Sequence, residues 1–172
     1  MKKISRLIMV AMLVSLSFTS FAFAEEYAGK DYSFINVGSG SAVDTPIGMG
    51  GFKMKHDSNW GYAINISYFT FSDTSSDSLG STYATEGWGF FNSVGLAHKT
   101  SKYIHPYLGV EMSLLTGDKK CTSGDFCSDK KTTDTPFGYM VGAVFPITKH
   151  SAAQLFYNSS VGTSSIGLGW DF

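Results

Sequence analysis

Between Trp60 and Tyr68 every second residue is large and apolar. Trp60, Tyr62, Ile64, Ile66 and Tyr68 alternate with Gly61, Ala63, Asn65 and Ser67. A period of two places these sets on opposite faces of a β-strand, and no helical spacing accommodates them. The pattern recurs along the chain. Trp88, Phe90, Val94 and Leu96 alternate with Gly87, Gly89, Ser93, Gly95 and Ala97. Ile104, Leu108, Val110, Met112 and Leu114 alternate with His105, Tyr107, Gly109, Glu111 and Ser113. Phe137, Tyr139, Val141, Ala143, Phe145 and Ile147 alternate with Gly138, Met140, Gly142 and Val144. Ala153, Leu155 and Tyr157 form a shorter set against Gln154, Phe156 and Asn158. At the end of the chain Ile166, Leu168, Trp170 and Phe172 alternate with Ser165, Gly167, Gly169 and Asp171. Tyr32–Gly38 and Ile47–Lys55 read as two further strands whose facing the pattern leaves open. No intervening segment reads as a helix, so eight strands joined up-and-down into an antiparallel sheet are expected.

The connections differ in kind. Those near 56–59, 98–102 and 148–151 are tight, whereas those near 40–46, 72–83, 117–134 and 159–164 are rich in Ser, Thr, Asp and Gly, the middle two being long. A soluble sandwich or barrel would bury the apolar face, while a transmembrane barrel turns it to lipid. The other face decides between them. It is Gly, Ala, Ser and Asn, interspersed with Phe91, Tyr107, Met140 and Phe156, and it is poor in the Lys and Glu that a solvated face carries. Small residues mixed with a few large ones suit the narrow interior of an eight-stranded barrel, which side chains fill. The expected fold is therefore all-β: an eight-stranded antiparallel up-and-down transmembrane β-barrel, with short turns at one rim and long polar loops at the other.

The start of the chain supplies an export signal. Lys2, Lys3 and Arg6 precede the apolar run Leu7–Leu16, and Ala22-Phe-Ala24 offers a small-residue cleavage site. Residues 1–24 are thus expected to be a cleaved secretory signal peptide and residues 25–172 the barrel. After residue 24 no apolar run approaches the ~20 residues of a spanning helix. Removing Lys2, Lys3 and Arg6 leaves 10 of the 13 basic residues against 14 acidic ones, which excludes a basic footprint for nucleic acid. In an exported protein Cys121 and Cys127, close together in a polar stretch, read as a disulfide that stiffens a loop tip.

The final alternation, Ile166-x-Leu168-x-Trp170-x-Phe172, resembles the C-terminal recognition signal of bacterial outer-membrane barrels. The chain after residue 24 resembles, in strand count, loop asymmetry and this ending, the small eight-stranded outer-membrane group that includes OmpX, Ail, the opacity-type proteins and the transmembrane part of OmpA. The resemblance implies an outer-membrane location, contact with outer-membrane lipid and lipopolysaccharide, and recognition of the last strand by the outer-membrane assembly machinery.

Four constellations carry candidate chemistry. His56, His98 and His150 lie in the three tight turns and His105 beside one of them, all at one rim but spread around it, which favours interfacial residues over a metal site. Small barrels that act on lipid A, such as PagP and PagL, imply a second possibility. A PagL-like centre needs His, Ser and an acid together, whereas Gln154-Leu-Phe-Tyr-Asn-Ser159 has no histidine, and a serine without a positioned base is a poor nucleophile. Third, Glu111 points inward by its parity, and Lys53 on an early strand is the expected partner in an interior polar pair that plugs the lumen. Fourth, Lys119, Lys120, Lys130 and Lys131 flank the Cys121–Cys127 tip with Phe126 exposed on it, a grouping that could grip an anionic host or envelope ligand. No catalytic, cofactor or metal residues are assigned. The expected function is a surface protein with a structural or adhesive role through its loops. A lipid-A acyl-transfer or deacylation enzyme and a narrow small-solute channel are the alternatives.

Overall fold

The computed structural model describes residues 31–172 apart from 41, 42, 56, 79, 102, 124–127, 149 and 172. The expected signal peptide therefore lies outside the described residues, as do Phe126, Cys127 and Phe172. The described strands are β1 (Asp31–Gly40), β2 (Ile47–Met54), β3 (Trp60–Ser76), β4 (Thr82–His98), β5 (His105–Ser123), β6 (Lys130–Asp134), β7 (Phe137–Pro146), β8 (Ser151–Asn158) and β9 (Thr163–Trp170). Each pairs antiparallel with its neighbour, β1 with β9 and β4 with β5 among them, so the sheet closes on itself. The segments β6 and β7 pair in series with β5, through residues 115–119 and 105–112. They form one stave interrupted at Thr135–Pro136. Proline has no N–H to give the ladder there, and its carbonyl instead accepts from Ser113 N at 2.9 Å. The barrel thus has the eight staves that the alternation predicts.

Facing follows the parity of each strand. Val94 and Leu96 on β4, Leu108 and Val110 on β5, Leu155 on β8 and Ile166, Leu168 and Trp170 on β9 are exposed. The residues between them, among them Phe91, Ser93, Ala97, Tyr107, Glu111, Ser113, Gln154, Phe156 and Ser165, are buried. Leu96 is 68% exposed whereas Asn65 is 0%. A continuous belt of this kind far exceeds the few hundred Å² of apolar patch that a soluble monomer tolerates, and it meets hydrocarbon tails without penalty. The barrel also leaves no open edge within the belt, as a lipid environment requires.

Cross-strand register settles the facing of the first two strands. Tyr32 lies opposite Phe52, and Phe34 opposite Gly50. Tyr32, Phe34, Phe52 and Asn36 are buried, while Ile35, Val37 and Ile47 are exposed. The parity of β2 thus directs Phe52 inward and Lys53 outward, and Lys53 stands between Asp31 on β1 and the outward Tyr62 on β3.

Two of the expected long loops are not loops. The β3–β4 ladder continues to Ser76 opposite Thr82, and β4 pairs with β5 as far as Thr82 opposite Ser123. The β3–β4 hairpin is closed by residues 77–81, where Asp77 N donates to Ser81 O at 2.9 Å, Ser81 N donates to Asp77 Oδ1 at 2.9 Å, and Gly80 has φ 80°. A positive φ of that size favours glycine. The upper parts of β3, β4 and β5 join β6 in a four-stranded sheet that rises above one side of the barrel. β2 reaches only Tyr68 on β3, so Phe69–Ser76 outrun it by roughly 25 Å of strand at about 3.3 Å per residue.

Candidate functional site

Strand alternation sorts the four lysines of the projecting sheet onto two faces. Lys119 lies between Thr85 on β4 and Lys130 on β6, and Thr85 lies opposite Asp73 on β3. This row shares its parity with the barrel interior and continues the lumen side upward. Lys120 lies opposite Ala84, and Lys131 lies opposite Asp118, itself opposite Glu86, on the reverse face. The reverse face mixes Lys120 and Lys131 with Asp118 and Glu86; the lumen-side face also carries Asp73 but sets Lys119 and Lys130 directly against each other. Like charges in direct opposition destabilise a strand pair. Part of that cost is offset by Tyr83, whose ring centroid lies 4.2 Å from Lys119 Nζ. Every residue of β6 is exposed. Near the tip Cys121 N donates to Asp129 Oδ1 at 3.0 Å, drawing the two arms of the hairpin together. The proposed partner Cys127 and the apolar Phe126 fall outside the described residues.

The lumen holds three layers. Towards the short-turn rim are Tyr32, Phe34, Phe52 and His105, with the Phe52 and His105 rings stacked at 5.7 Å. Towards the opposite end Phe69, Phe91 and Phe156 pack with centroids 6.2 and 6.4 Å apart. Between these layers Asn36 Nδ2 donates to Asn65 Oδ1 at 3.2 Å, and Asn65 Nδ2 and Ser93 Oγ approach Met140 Sδ at 3.2 and 3.0 Å. Gln154 Nε2 donates to Tyr107 Oη at 2.8 Å. Close packing of this kind is what an eight-stranded interior allows.

The expected Glu111–Lys53 pair does not form. Glu111 is inside, 2% exposed, and its carboxylate accepts from Ser160 Oγ and, at 3.5 Å, from Ser113 Oγ. Lys53 is directed outward by its register, and its Nζ lies 2.9 Å from Asp31 Oδ2 on the neighbouring strand. At 5% exposure Lys53 is buried beside Asp31 rather than against Glu111. The glycines around Lys53 remove the size contrast by which parity is read from sequence, and the hydroxyl partners of Glu111 carry no charge signal.

The rim histidines are dispersed. The His98 ring lies edge-on to Trp60 at 4.8 Å, His150 Nδ1 is 2.9 Å from Asp171 Oδ1, and His105 is interior; His56 is outside the described residues. Among the described residues no three His, Cys, Asp or Glu side chains are grouped to hold a metal ion. In the 154–159 stretch, Ser159 Oγ accepts from Tyr139 N at 2.8 Å at the far end of β8, whereas His150 precedes its start. The two are separated by the length of the strand. Of the C-terminal signal, Ile166, Leu168 and Trp170 lie on the outward face of β9, the strand that closes the barrel against β1.

Solved structures share this architecture. A major outer membrane protein from Thermus thermophilus superposes with a TM-score of 0.61 at 11% identity, over 85% of this chain and 100% of that one. Ail, the attachment invasion locus protein of Yersinia pestis, superposes with a TM-score of 0.58 at 14% identity, over 84% of this chain and 99% of that one, in a complex with the heparin analogue sucrose octasulfate. A second Ail structure gives 0.58 at 12% identity. No protein-family profile matches the chain, and no curated protein does. The fold is that of the small eight-stranded outer-membrane barrels.

Proposed function

We propose that this chain is an outer-membrane surface protein whose projecting sheet binds an anionic saccharide of the host surface or of the envelope. The observation that carries this reading is the placement of Lys119 opposite Lys130, beside Tyr83, on the lumen-side face of the sheet. Two lysines set on one face at opposed ladder positions suit a sulfate or phosphate group, and the aromatic ring beneath Lys119 suits the apolar face of a sugar. The complex of Ail with sucrose octasulfate supports an anionic polysaccharide as the ligand class. Lys120 and Lys131 on the reverse face, balanced by Asp118 and Glu86, contribute less. In this reading residues 1–24 direct export, the belt contacts outer-membrane lipid and lipopolysaccharide, and Ile166, Leu168, Trp170 and Phe172 present the last strand to the assembly machinery. A Cys121–Cys127 disulfide stiffens the tip.

Binding of the purified barrel, in detergent micelles, to immobilised heparin and to lipopolysaccharide tests the reading. The wild-type chain is expected to be retained at low salt and released as salt rises. The Lys119→Gln/Lys130→Gln variant is expected to bind at least fivefold more weakly. Equal retention of variant and wild type on both matrices overturns the assignment of this face.

A further inference from the structure

Glu111 is the one carboxylate among the described residues that points into the barrel lumen proper. On β5 it lies opposite Gly138 of β7, between the outward aromatics Phe137 and Tyr139. A Cβ at Gly138 would stand 2.5 Å from Ser159 Oγ and 2.7 Å from Ser160 N. The missing side chain leaves a gap across the whole width of β7, and through it the Glu111 carboxylate reaches the end of β8. There Oε1 accepts from Ser160 Oγ, and the Ser113 and Ser160 hydroxyls lie 2.7 Å apart.

Everything described as touching this carboxylate is a neutral donor. The described inward-facing positions of the barrel contain no Lys or Arg. Lys53 is directed outward, Lys119 and Lys130 belong to the projecting sheet above, and His105 is stacked on Phe52 towards the opposite rim. Glu111 Oε2 is buried without a hydrogen-bond partner. Asn158, inward on β8 two residues before Ser160, has both amide atoms in the same condition. An uncompensated buried charge is costly, and Glu111 Oε2 and Asn158 Oδ1 are both acceptors left unpaired there.

We propose that Glu111 Oε2, the Ser113 and Ser160 hydroxyl oxygens and Asn158 Oδ1 form a binding site for one small monovalent cation, sodium in size and hardness. Carboxylate, hydroxyl and amide oxygens are hard donors suited to such ions. One carboxylate balances a single positive charge, whereas a divalent ion would leave a net positive charge in a lumen that offers no second anion among the described residues. The site holds the upper lumen together by an ion rather than by a lysine or arginine.

The test is thermal unfolding of the purified barrel in a non-ionic detergent, in sodium chloride against choline chloride at equal concentration, with potassium and calcium chloride alongside. Choline matches ionic strength but is too large for the site. Sodium is expected to raise the Tm of the wild-type chain by about 3 °C over choline, as site binding does by mass action. Glu111→Gln, close in shape, is expected to abolish the difference, and Ser160→Ala to reduce it. Equal Tm in sodium and choline overturns the proposal without recourse to any variant. So does a sodium effect that Glu111→Gln leaves intact, since the ion then binds elsewhere. A calcium effect larger than that of sodium and lost in Glu111→Gln overturns the monovalent assignment.

Discussion

The Tyr107 hydroxyl meets Gln154 Nε2 at 2.8 Å although a whole strand separates their backbones. The contact exists because the intervening residue on β7 is Gly142, over which the tyrosine ring lies. A Cβ at that position would stand 2.5 Å from both Tyr107 Cζ and Oη. Ring and glycine lock as peg and socket, tying β5 to β8 through the lumen as well as through the ladder.

Gly142→Ala is accordingly expected to destabilise the barrel by about 1–3 kcal/mol, the usual range for overpacking a filled core. Tyr107→Phe keeps the ring but leaves Gln154 Nε2 without its acceptor, at a cost of about 1 kcal/mol. Denaturant unfolding in lipid vesicles measures both. Full stability of Gly142→Ala would show that the ring does not occupy this place.

All three tryptophans, Trp60, Trp88 and Trp170, share the outward parity of their strands. Brominated lipid tails are expected to quench the fluorescence of the folded chain strongly, and aqueous iodide weakly. Val110→Lys, placing a charge in the belt, is expected to cost about 2–4 kcal/mol of folding stability if it lies near the bilayer midplane. Ser93→Ala on the interior side is expected to cost less. A reversed order would invert the barrel.

Lys119→Gln/Lys130→Gln removes a like-charge opposition, so this double variant is expected to melt no lower than wild type while binding heparin more weakly. Lys120→Gln/Lys131→Gln leaves Asp118 and Glu86 unbalanced on the reverse face and is expected to change binding less. Parallel affinity and Tm measurements separate the two faces; equal losses from both pairs would remove the preference for the lumen side.

Cys121→Ser/Cys127→Ser is expected to lower Tm by only a few degrees, since closing a short loop contributes on the order of 2 kcal/mol and the barrel ladders do not depend on it. Its larger expected effect is faster proteolysis of the hairpin tip under non-reducing conditions. A tip equally resistant in both forms argues against the bridge.

The barrel itself was legible because each spanning strand sets bulky apolar residues against Gly, Ala, Ser or Asn, as Trp60–Tyr68 does. β2 was not legible in this way. In Ile47-Gly-Met-Gly-Gly-Phe-Lys-Met, glycines occupy both parities and two bulky residues flank the lysine. Only pairing with β1 and β3 directs Phe52 inward and Lys53 outward. The projecting sheet reads as loop in the sequence because strands solvated on both faces show no apolar alternation. Residues such as Ser72–Ser76 and Lys130–Asp134 carry the Ser, Thr and Asp that mark turns elsewhere. The Glu111–Ser160 contact was hidden for another reason: it joins residues 49 positions apart, across a strand represented only by a glycine. No periodicity records a gap.

The sheet rises from only half of the barrel mouth, since β1, β2, β8 and β9 stop low while β3, β4, β5 and β6 continue. The lysine row therefore forms a wall standing beside the lower rim made by β1, β2, β8 and β9. A pit would select compact molecules that fit inside it. For the saccharide proposed above, a wall with an open side would instead admit a long polymer lying along it, its ends running off in both directions, and would register the spacing of its charges rather than its outline.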